Sequence, residues 1–96
     1  MRTFRNVKKE MHEGKKQAAT FLRIERSPAA LYIAQEAGLD FVVFDGEHGA
    51  YDVETAHDLF ATAMALDIPA IIRVPEGTKD FVSRYLDAGA AGILVP

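Results

Sequence analysis

"FVVFDGEHGAYD", residues 41–52, contains an apolar run, a polar cluster with two glycines, and an aspartate that can begin a helix. The apolar run belongs to the segment Asp40–Phe44, whose β-branched and aromatic residues are typical of a strand buried on both faces. The glycines allow the chain to turn sharply and a ligand to approach the backbone closely. Asp52 supplies a side-chain oxygen that can cap the next helix. The stretch therefore predicts a strand, a tight polar loop and a helix.

The same alternation of strands and helices extends over the whole chain. Short apolar runs predict strands at Ala19–Ile24, Asp40–Phe44, Pro69–Val74 and Gly92–Val95. Apolar residues at helical spacing predict helices at Thr3–His12 and Ala29–Ala37, after the cap Asp52 and after the cap Thr78. Strands separated by helices pair in parallel, in either a doubly wound α/β sheet or a (β/α)8 TIM barrel. Both architectures bind ligands at the carboxyl ends of their strands, where the polar cluster lies.

The length of the chain indicates a partial domain. It has 96 residues, whereas a (β/α)8 barrel needs about 200–250. Four strands alone leave two long hydrophobic sheet edges open, which favours association. We therefore interpret residues 1–96 as a single partial domain, the N-terminal half of a barrel, with residues 1–14 as an N-terminal helix. A sequence that ends on a strand, with no helix to cover it, indicates truncation.

The composition excludes several classes of protein. Apolar residues make up 49% of the chain, which is too many for a disordered protein. No apolar run approaches the roughly 18–20 residues of a membrane span, so no membrane partner is expected. The segment MRTFRNVKKEMHEGKK lacks the apolar core of a secretory signal, and a cytoplasmic protein is expected. The absence of cysteine excludes disulfides, zinc–thiolate sites and thiol nucleophiles.

Positive charge is concentrated at the start of the chain. Residues 1–26 carry eight Lys and Arg against three acidic residues, whereas residues 27–96 carry three against eleven. A basic arm that binds nucleic acid is one interpretation. Glu10 and Glu13 interrupt the basic residues, however, and aromatic residues do not interleave them, which favours a solvated amphipathic helix. We therefore expect no nucleic-acid partner.

Asp45 and His48 lie three residues apart in the loop after the second predicted strand. At this spacing the carboxylate can accept a hydrogen bond from one imidazole nitrogen, which leaves the other nitrogen as a general base near neutral pH. Asp and Gly are also ordinary turn residues, and D-G-E-H is not a specific motif. A turn cluster without catalytic chemistry therefore stays open as the alternative.

Two further charged residues lie at the ends of predicted elements. Arg73, inside PAIIRVPEG, ends a strand, where a guanidinium suits bidentate binding of a carboxylate or phosphate. A salt bridge to a neighbouring acid is the alternative. Asp87 lies near a helix C-terminus, where a negative charge is mildly unfavourable. It therefore needs a compensating partner, unless it is simply an exposed carboxylate.

Four sequence blocks occur in a fixed order between residues 19 and 96. They are SPAALYIAQEAGLDFVVFDGEHG, DVETA, IPAIIRVPEG and YLDAGAAGILVP. In this order and spacing they resemble the HpcH/HpaI aldolase/citrate lyase family, specifically its metal-dependent class II pyruvate aldolases. Because that family folds as a (β/α)8 barrel, the resemblance favours the barrel. It also implies reversible retro-aldol cleavage of a 4-hydroxy-2-oxo acid into pyruvate and an aldehyde.

The resemblance implies a role for each candidate residue. His48 is implied to be the catalytic base, acting with a metal-bound water, and Asp45 its dyad partner. Arg73 is implied to hold the pyruvate carboxylate and keto oxygen and to stabilise the enolate. Asp87 resembles an acidic residue near the active site, and Glu47 matches the motif as a structural residue behind the catalytic ones.

The resemblance also implies a cofactor and partners. The substrate is a small 2-oxo acid with a pyruvate moiety, and the cofactor is a divalent metal ion, Mg²⁺, Mn²⁺ or Co²⁺. The Glu and Asp ligands of that metal are expected outside this chain, so the 96-residue polypeptide alone is expected to be inactive. The full-length protein is expected to be a homo-oligomer, commonly a hexamer. The alternative is a non-catalytic half-barrel or interaction module.

Overall fold

The computed structural model describes residues 5–96, in which four helices alternate with four strands. The strands are β1 (Ala19–Leu22), β2 (Phe41–Asp45), β3 (Ala70–Arg73) and β4 (Gly92–Leu94). The helices are α1 (Val7–His12), α2 (Ala29–Glu36), α3 (Val53–Leu66) and α4 (Lys79–Asp87). Within residues 5–96, no helix is both long and apolar enough to cross a membrane.

Side-chain caps define where three of the helices begin. The predicted start of the first helix, Thr3, lies outside the described residues, and α1 begins at Val7 because Asn6 caps it. The Asn6 side chain accepts a hydrogen bond from the N–H three residues later, at 3.0 Å. The predicted caps Asp52 and Thr78 accept equivalent hydrogen bonds at 2.8 and 3.4 Å. Both cap predictions are therefore confirmed.

The four strands form one parallel sheet in the order β1-β2-β3-β4. A doubly wound sheet reverses its strand order at a switch point, whereas each strand of a (β/α)8 barrel lies beside its neighbours in sequence. The sequential order fits the barrel and contradicts the doubly wound alternative. The prediction of an α/β fold, with four parallel strands from the N-terminal half of a barrel, is confirmed.

The two faces of the sheet differ in what covers them. Side chains alternate between the faces, and Val42 and Phe44 of β2 point toward the helices, where they join one buried apolar cluster. The helical members of this cluster are Leu31, Ala34, Ala56, Leu59, Phe60, Ala63 and Tyr85. The opposite face, which we call the open face, carries Val43, Asp45 and Phe21. Phe21 is 52% exposed there.

Arg5 anchors the start of the described chain at the amino ends of the strands. Its Nη2 lies 2.6 Å from Asp40 Oδ1 and 2.8 Å from Glu10 Oε1, and its main-chain N–H donates to Asp67 Oδ1 at 3.0 Å. These hydrogen bonds raise the pKa of Arg5 and lower the pKa of Glu10 and of Asp40. Because Asp40 precedes β2 and Asp67 precedes β3, this network lies at the end of the sheet opposite the polar loop.

Candidate active site

Three charged residues form a row across the carboxyl ends of β1, β2 and β3. Asp45 is paired with Arg73 in the register of β2 and β3. Arg23 follows Leu22, whose partner is Phe44, and therefore stands beside Asp45 on the other side. The side chains lie on the open face, and both arginines contact Asp45. The structure thus places the polar cluster at the carboxyl end of the sheet, as the sequence predicted.

Asp45 is the centre of this row, and its side chain is only 1% exposed. Its Oδ1 accepts hydrogen bonds from the main-chain N–H groups of Glu47 and His48, at 3.1 and 2.9 Å. Arg73 donates to both carboxylate oxygens, from Nε to Oδ1 at 3.2 Å and from Nη2 to Oδ2 at 2.5 Å. Arg23 Nε lies 3.3 Å from Oδ2. The buried carboxylate is therefore surrounded by hydrogen-bond donors.

These donors stabilise the charged form of Asp45. Hydrogen bonds from Arg73 are the main cause that lowers the pKa of Asp45 to about 2, with the N–H groups of His48 and Glu47 acting in the same direction and burial opposing them. The same contact raises the pKa of Arg73. A carboxylate held ionised in this way does not accept a proton at neutral pH. Asp45 is thus a fixed negative charge and not a proton carrier.

Arg73 uses only one side of its guanidinium on Asp45. The contacts engage Nε and Nη2, and within residues 5–96 the Nη1 group has no hydrogen-bond partner. The side chain is 26% exposed, and its Cζ lies 5.7 Å from the centre of the Phe21 ring. The salt bridge expected as the alternative is therefore present, while Nη1 remains able to bind an anion such as a carboxylate.

The imidazole of His48 does not contact the Asp45 carboxylate, and the expected hydrogen bond between them is wrong for this structure. Asp45 accepts the main-chain N–H of His48, an arrangement typical of an aspartate that closes its own turn. The imidazole is 58% exposed, and its Nε2 lies 3.1 Å from Glu47 Oε1. The Asp45 carboxylate therefore forms the turn that the alternative prediction described. The exposed imidazole is the part of the same loop that the catalytic prediction concerns.

Glu47 lies between the two groups with possible chemistry. Its Oε1 is 3.1 Å from His48 Nε2 and 3.6 Å from Arg73 Nε, and its side chain is 27% exposed. The family resemblance implied only a supporting role for Glu47. The structure places the Glu47 carboxylate nearer to the imidazole than the Asp45 carboxylate.

Gly46 and Gly49 permit close backbone packing. The Gly46 N–H donates to the Arg73 carbonyl oxygen at 2.8 Å, and a Cβ at this position would lie 2.7 Å from that oxygen. A Cβ at Gly49 would overlap the carbonyl oxygen of Asp45 and lie 2.7 Å from that of Arg23. Neither glycine has a positive φ. The close approach that the sequence predicted at these glycines is therefore made by neighbouring strand ends.

Replacing Gly49 by alanine should destabilise the loop that carries His48. The added methyl group has no space between two carbonyl groups, so the free energy of unfolding should fall by roughly 1–3 kcal/mol. Urea unfolding followed by circular dichroism measures this change. Gly92→Ala is the matched control, because a Cβ there meets Ile71 at an ordinary 3.4 Å. Equal unfolding midpoints for Gly49→Ala and the wild type would contradict the packing argument.

Sequence reasoning missed Arg23 and Tyr51, which hold neighbouring loops together. The Tyr51 hydroxyl donates to the Glu25 carbonyl oxygen at 2.8 Å, and burial is the main cause that raises the Tyr51 pKa to about 12. Tyr85 in turn donates to the Tyr51 carbonyl oxygen at 3.1 Å. The sequence did contain one signal for Arg23, since it lies two residues after Phe21 inside a predicted strand and so shares its face.

Asp87 is not brought to the row. It is the exposed last residue of α4, and a helix that connects two parallel strands runs antiparallel to them, so its end lies at the amino side of the sheet. Within residues 5–96 its side chain makes no hydrogen bond or ion pair. The expectation that Asp87 lies near the site is therefore wrong within this chain, and the exposed-carboxylate alternative describes it.

The described residues do not fit a divalent metal ion. Residues 5–96 contain no group of three or more His, Cys, Asp or Glu that could hold one. Asp45 is also a poor ligand here, because both of its oxygens already contact guanidinium groups. A cation bound to Asp45 would face two positive charges at close range. The row is therefore suited to holding anions.

Comparison with known proteins places the chain in a family. The profile of the HpcH/HpaI aldolase/citrate lyase family matches residues 17–96. The chain is 36% identical over 89 residues to the hydroxypyruvate/pyruvate aldolase of Agrobacterium fabrum. The aligned residues make up 93% of this chain and 33% of that protein. It is 32% identical over 92 residues to the 4-hydroxy-2-oxovalerate aldolase of Rhodococcus jostii, which covers 95% of this chain and 35% of that protein.

A solved structure gives the same result for the fold. The HpcH/HpaI aldolase from Desulfitobacterium hafniense matches with a TM-score of 0.88 and 33% identity, over 94% of this chain and 35% of that chain. The chain therefore spans about a third of the length of the relatives it matches. Because the family profile covers most of the sequence and the folds agree, the chain belongs to the HpcH/HpaI aldolase/citrate lyase family.

Proposed function

We propose that this chain supplies the substrate-binding and proton-transfer part of an aldolase site. The reaction is cleavage of a 4-hydroxy-2-oxo acid into pyruvate and an aldehyde through a pyruvate enolate. The observation that carries the proposal is the free Nη1 group of Arg73 at a strand end, beside the loop that bears His48. The names of two relatives, a hydroxypyruvate/pyruvate aldolase and a 4-hydroxy-2-oxovalerate aldolase, support the same chemistry.

Arg73 binds the 2-oxo acid in this proposal. Hydrogen bonds from a guanidinium to a carboxylate are charge-assisted and about twice as strong as neutral ones. Asp45 holds Nε and Nη2 of Arg73 by hydrogen bonds. The edge of the guanidinium that carries Nη1 therefore has one fixed orientation. A fixed positive charge next to the keto oxygen also stabilises the negative charge that develops there as the enolate forms. Asp45 therefore contributes to catalysis by holding Arg73 in place.

His48 moves the proton. In the cleavage direction it removes the proton of the 4-hydroxyl group, and the C4–O electrons form the aldehyde carbonyl as the C3–C4 bond breaks. The electron pair of that bond passes to the C2–C3 bond and the keto oxygen, which gives the enolate. The imidazolium then returns a proton to C3, directly or through water, and pyruvate forms. The exposed imidazole can reach substrate without rearrangement of the strand.

The proposal extends to parts of the protein outside this chain. Residues 1–96 act as the N-terminal half of a (β/α)8 barrel, and α1 is its N-terminal helix. Residues outside the chain would hold a divalent metal ion, which would supply Lewis-acid stabilisation of the enolate. The 96-residue chain alone is therefore inactive, and the full-length protein is a homo-oligomer with a cytoplasmic location.

Exchange of the pyruvate methyl protons with deuterium, followed by NMR, tests this function. The full-length protein should catalyse the exchange, and chelation of divalent metal should abolish it. His48→Ala should slow it roughly a hundredfold, because the base is lost. His57→Ala is the control, since His57 is an exposed residue of α3. Exchange that survives both chelation and His48→Ala would refute the assigned mechanism.

A non-catalytic half-barrel is the second candidate. The open face favours it, because Phe21 is 52% exposed there, and exposed apolar groups promote association. This candidate predicts a full-length protein without exchange activity and a 96-residue chain that associates as its concentration rises. Sedimentation measurements on the chain, made beside the exchange assay, separate the two candidates.

A further inference from the structure

We propose that Arg23 is a second anion-binding residue of the row, and that it sets the affinity of the site for the carboxylate of the 2-oxo acid. This inference rests on the proposed function, which assigns a substrate carboxylate to Arg73. The juxtaposition that carries it is two guanidinium groups beside one carboxylate oxygen. Arg23 Nε lies 3.3 Å from Asp45 Oδ2, and Arg73 Nη2 lies 2.5 Å from the same oxygen.

Main-chain contacts hold Arg23 at the carboxyl end of β1. Its carbonyl oxygen accepts a hydrogen bond from the N–H of Ala50 at 2.9 Å, so the strand end is tied to the loop that bears His48. Because the helices cover the other face of the sheet, the open face is the one that lines the interior of a barrel. Ligands bind in such barrels at the carboxyl ends of the strands. The side chain of Arg23 therefore stands where a ligand is expected.

The guanidinium of Arg23 has hydrogen-bond donors to spare. An arginine carries five N–H donors, and within residues 5–96 none of those of Arg23 makes a hydrogen bond, since its contact with Asp45 is an ion pair. Asp45 already accepts three hydrogen bonds at Oδ1 and one at Oδ2 from other groups. The Arg23 side chain is also 60% exposed, against 26% for Arg73. Its donors are thus free to bind a ligand.

The charges of the row show why a second arginine is needed to attract an anion. Asp45 is buried and ionised, so with Arg73 alone it would form a pair without net charge. Glu47 Oε1, 3.6 Å from Arg73 Nε, adds a further negative charge that opposes anion binding. Arg23 supplies the positive charge that offsets these carboxylates. It is therefore Arg23 that makes the row attractive to an anion.

The two guanidinium groups are close enough to share one ligand. Arg73 Nη2 and Arg23 Nε cannot be farther apart than the sum of their distances to Asp45 Oδ2, which is about 6 Å. An anionic oxygen that accepts hydrogen bonds of about 2.8 Å from each of two donors spans nearly the same distance. A carboxylate bound at Arg73 Nη1 is therefore within reach of the free donors of Arg23.

Arg23 and Arg73 make different contributions to the reaction. In the proposed function Arg73 also lies next to the keto oxygen, where negative charge develops as the enolate forms. Arg23 attracts the carboxylate, whose charge is the same in the substrate and in the transition state. Binding that is equal in both states lowers the dissociation constant and leaves kcat unchanged. Loss of Arg23 should therefore weaken binding without slowing the chemical step.

Titration of the full-length, metal-loaded protein with pyruvate, followed by calorimetry, tests the inference. Arg23→Gln should raise the Kd for pyruvate about fivefold or more, because one positive charge beside the carboxylate is lost. Arg23→Lys should stay within about twofold of the wild type, because the charge remains. Added potassium chloride should weaken binding more in the wild type than in Arg23→Gln, because salt screens the attraction. Arg26→Gln is the matched control, since it removes the same charge from the same exposed loop.

Pyruvate exchange supplies the second measurement, in which kcat for Arg23→Gln should stay within about twofold of the wild type. A Kd for Arg23→Gln equal to that of Arg26→Gln would overturn the inference, and so would a fall in kcat as large as the rise in Kd. Binding that depends on Arg23 in a protein without exchange activity would count against the proposed function alone. A wild-type protein that does not bind pyruvate would refute both.

Discussion

In the full-length protein, replacing Arg73 by alanine should lower kcat/KM for the proposed retro-aldol cleavage by roughly a thousandfold or more, because the proposed binding of the carboxylate and stabilisation of the enolate are lost together. The change removes the Nη1 donors, which are free within residues 5–96, and also the partner of Asp45. Steady-state kinetics with a 4-hydroxy-2-oxo acid measures the effect. We expect a higher KM for the substrate as well as a lower kcat.

Two further variants show whether the effect is specific to Arg73. Arg73→Lys keeps the charge but not the planar two-sided geometry, so activity should recover only in part. Arg84→Ala removes a more exposed arginine of α4, which pairs with Asp80 at 3.6 Å, and should leave activity unchanged. If Arg73→Ala and Arg84→Ala behaved alike, Arg73 would have no special role in binding the substrate.

Replacing Asp45 by asparagine should cause the largest loss of stability among single changes in the row. The amide of asparagine carries no charge and cannot neutralise the guanidinium of Arg73. Its NH₂ group would also face hydrogen-bond donors, at a position where the carboxylate oxygen accepts hydrogen bonds. Removing one partner of a buried ion pair and weakening its hydrogen bonds should lower the free energy of unfolding by about 2–4 kcal/mol. Urea unfolding at pH 7 measures the loss. Asp87→Asn is the matched control, because Asp87 is exposed.

The contribution of Asp45 should also depend on pH. Its pKa in the folded protein is about 2, below the value near 3.9 of an unfolded aspartate. The folded state therefore gains stability from the ionised form above about pH 4, and loses that gain as the pH falls toward 2. The difference in unfolding free energy between wild type and Asp45→Asn should shrink over this window. A constant difference from pH 7 to pH 2 would show that the charge of Asp45 does not matter.

The fold could be predicted largely because its elements depend on local patterns. The apolar run in Phe41–Phe44, the cap Asp52 and the cap Thr78 each act within a few residues, and the structure contains all three. The choice between a barrel and a doubly wound sheet depends on strand order, which alternation alone does not determine. The family resemblance predicted the barrel, and the observed strand order agrees with that prediction.

The site was predicted less completely, because its contacts depend on groups from three strands. The sequence could place Asp45 and Arg73 at one sheet edge, since the carboxyl ends of parallel strands share it. It could not show that both oxygens of Asp45 would be occupied by arginines and main-chain N–H groups. For the same reason the contact between His48 and Glu47 became evident only from the loop geometry.

The consecutive order of the strands has a consequence for how the site forms. The row of Arg23, Asp45 and Arg73 joins three strands that follow one another directly. Asp45 and Arg73 are 28 residues apart in the chain. A loop of this length costs less closure entropy than the longer loops that strands distant in sequence would require. Since N-terminal segments emerge first during synthesis, the anion-binding groups should assemble soon after Arg73 has left the ribosome.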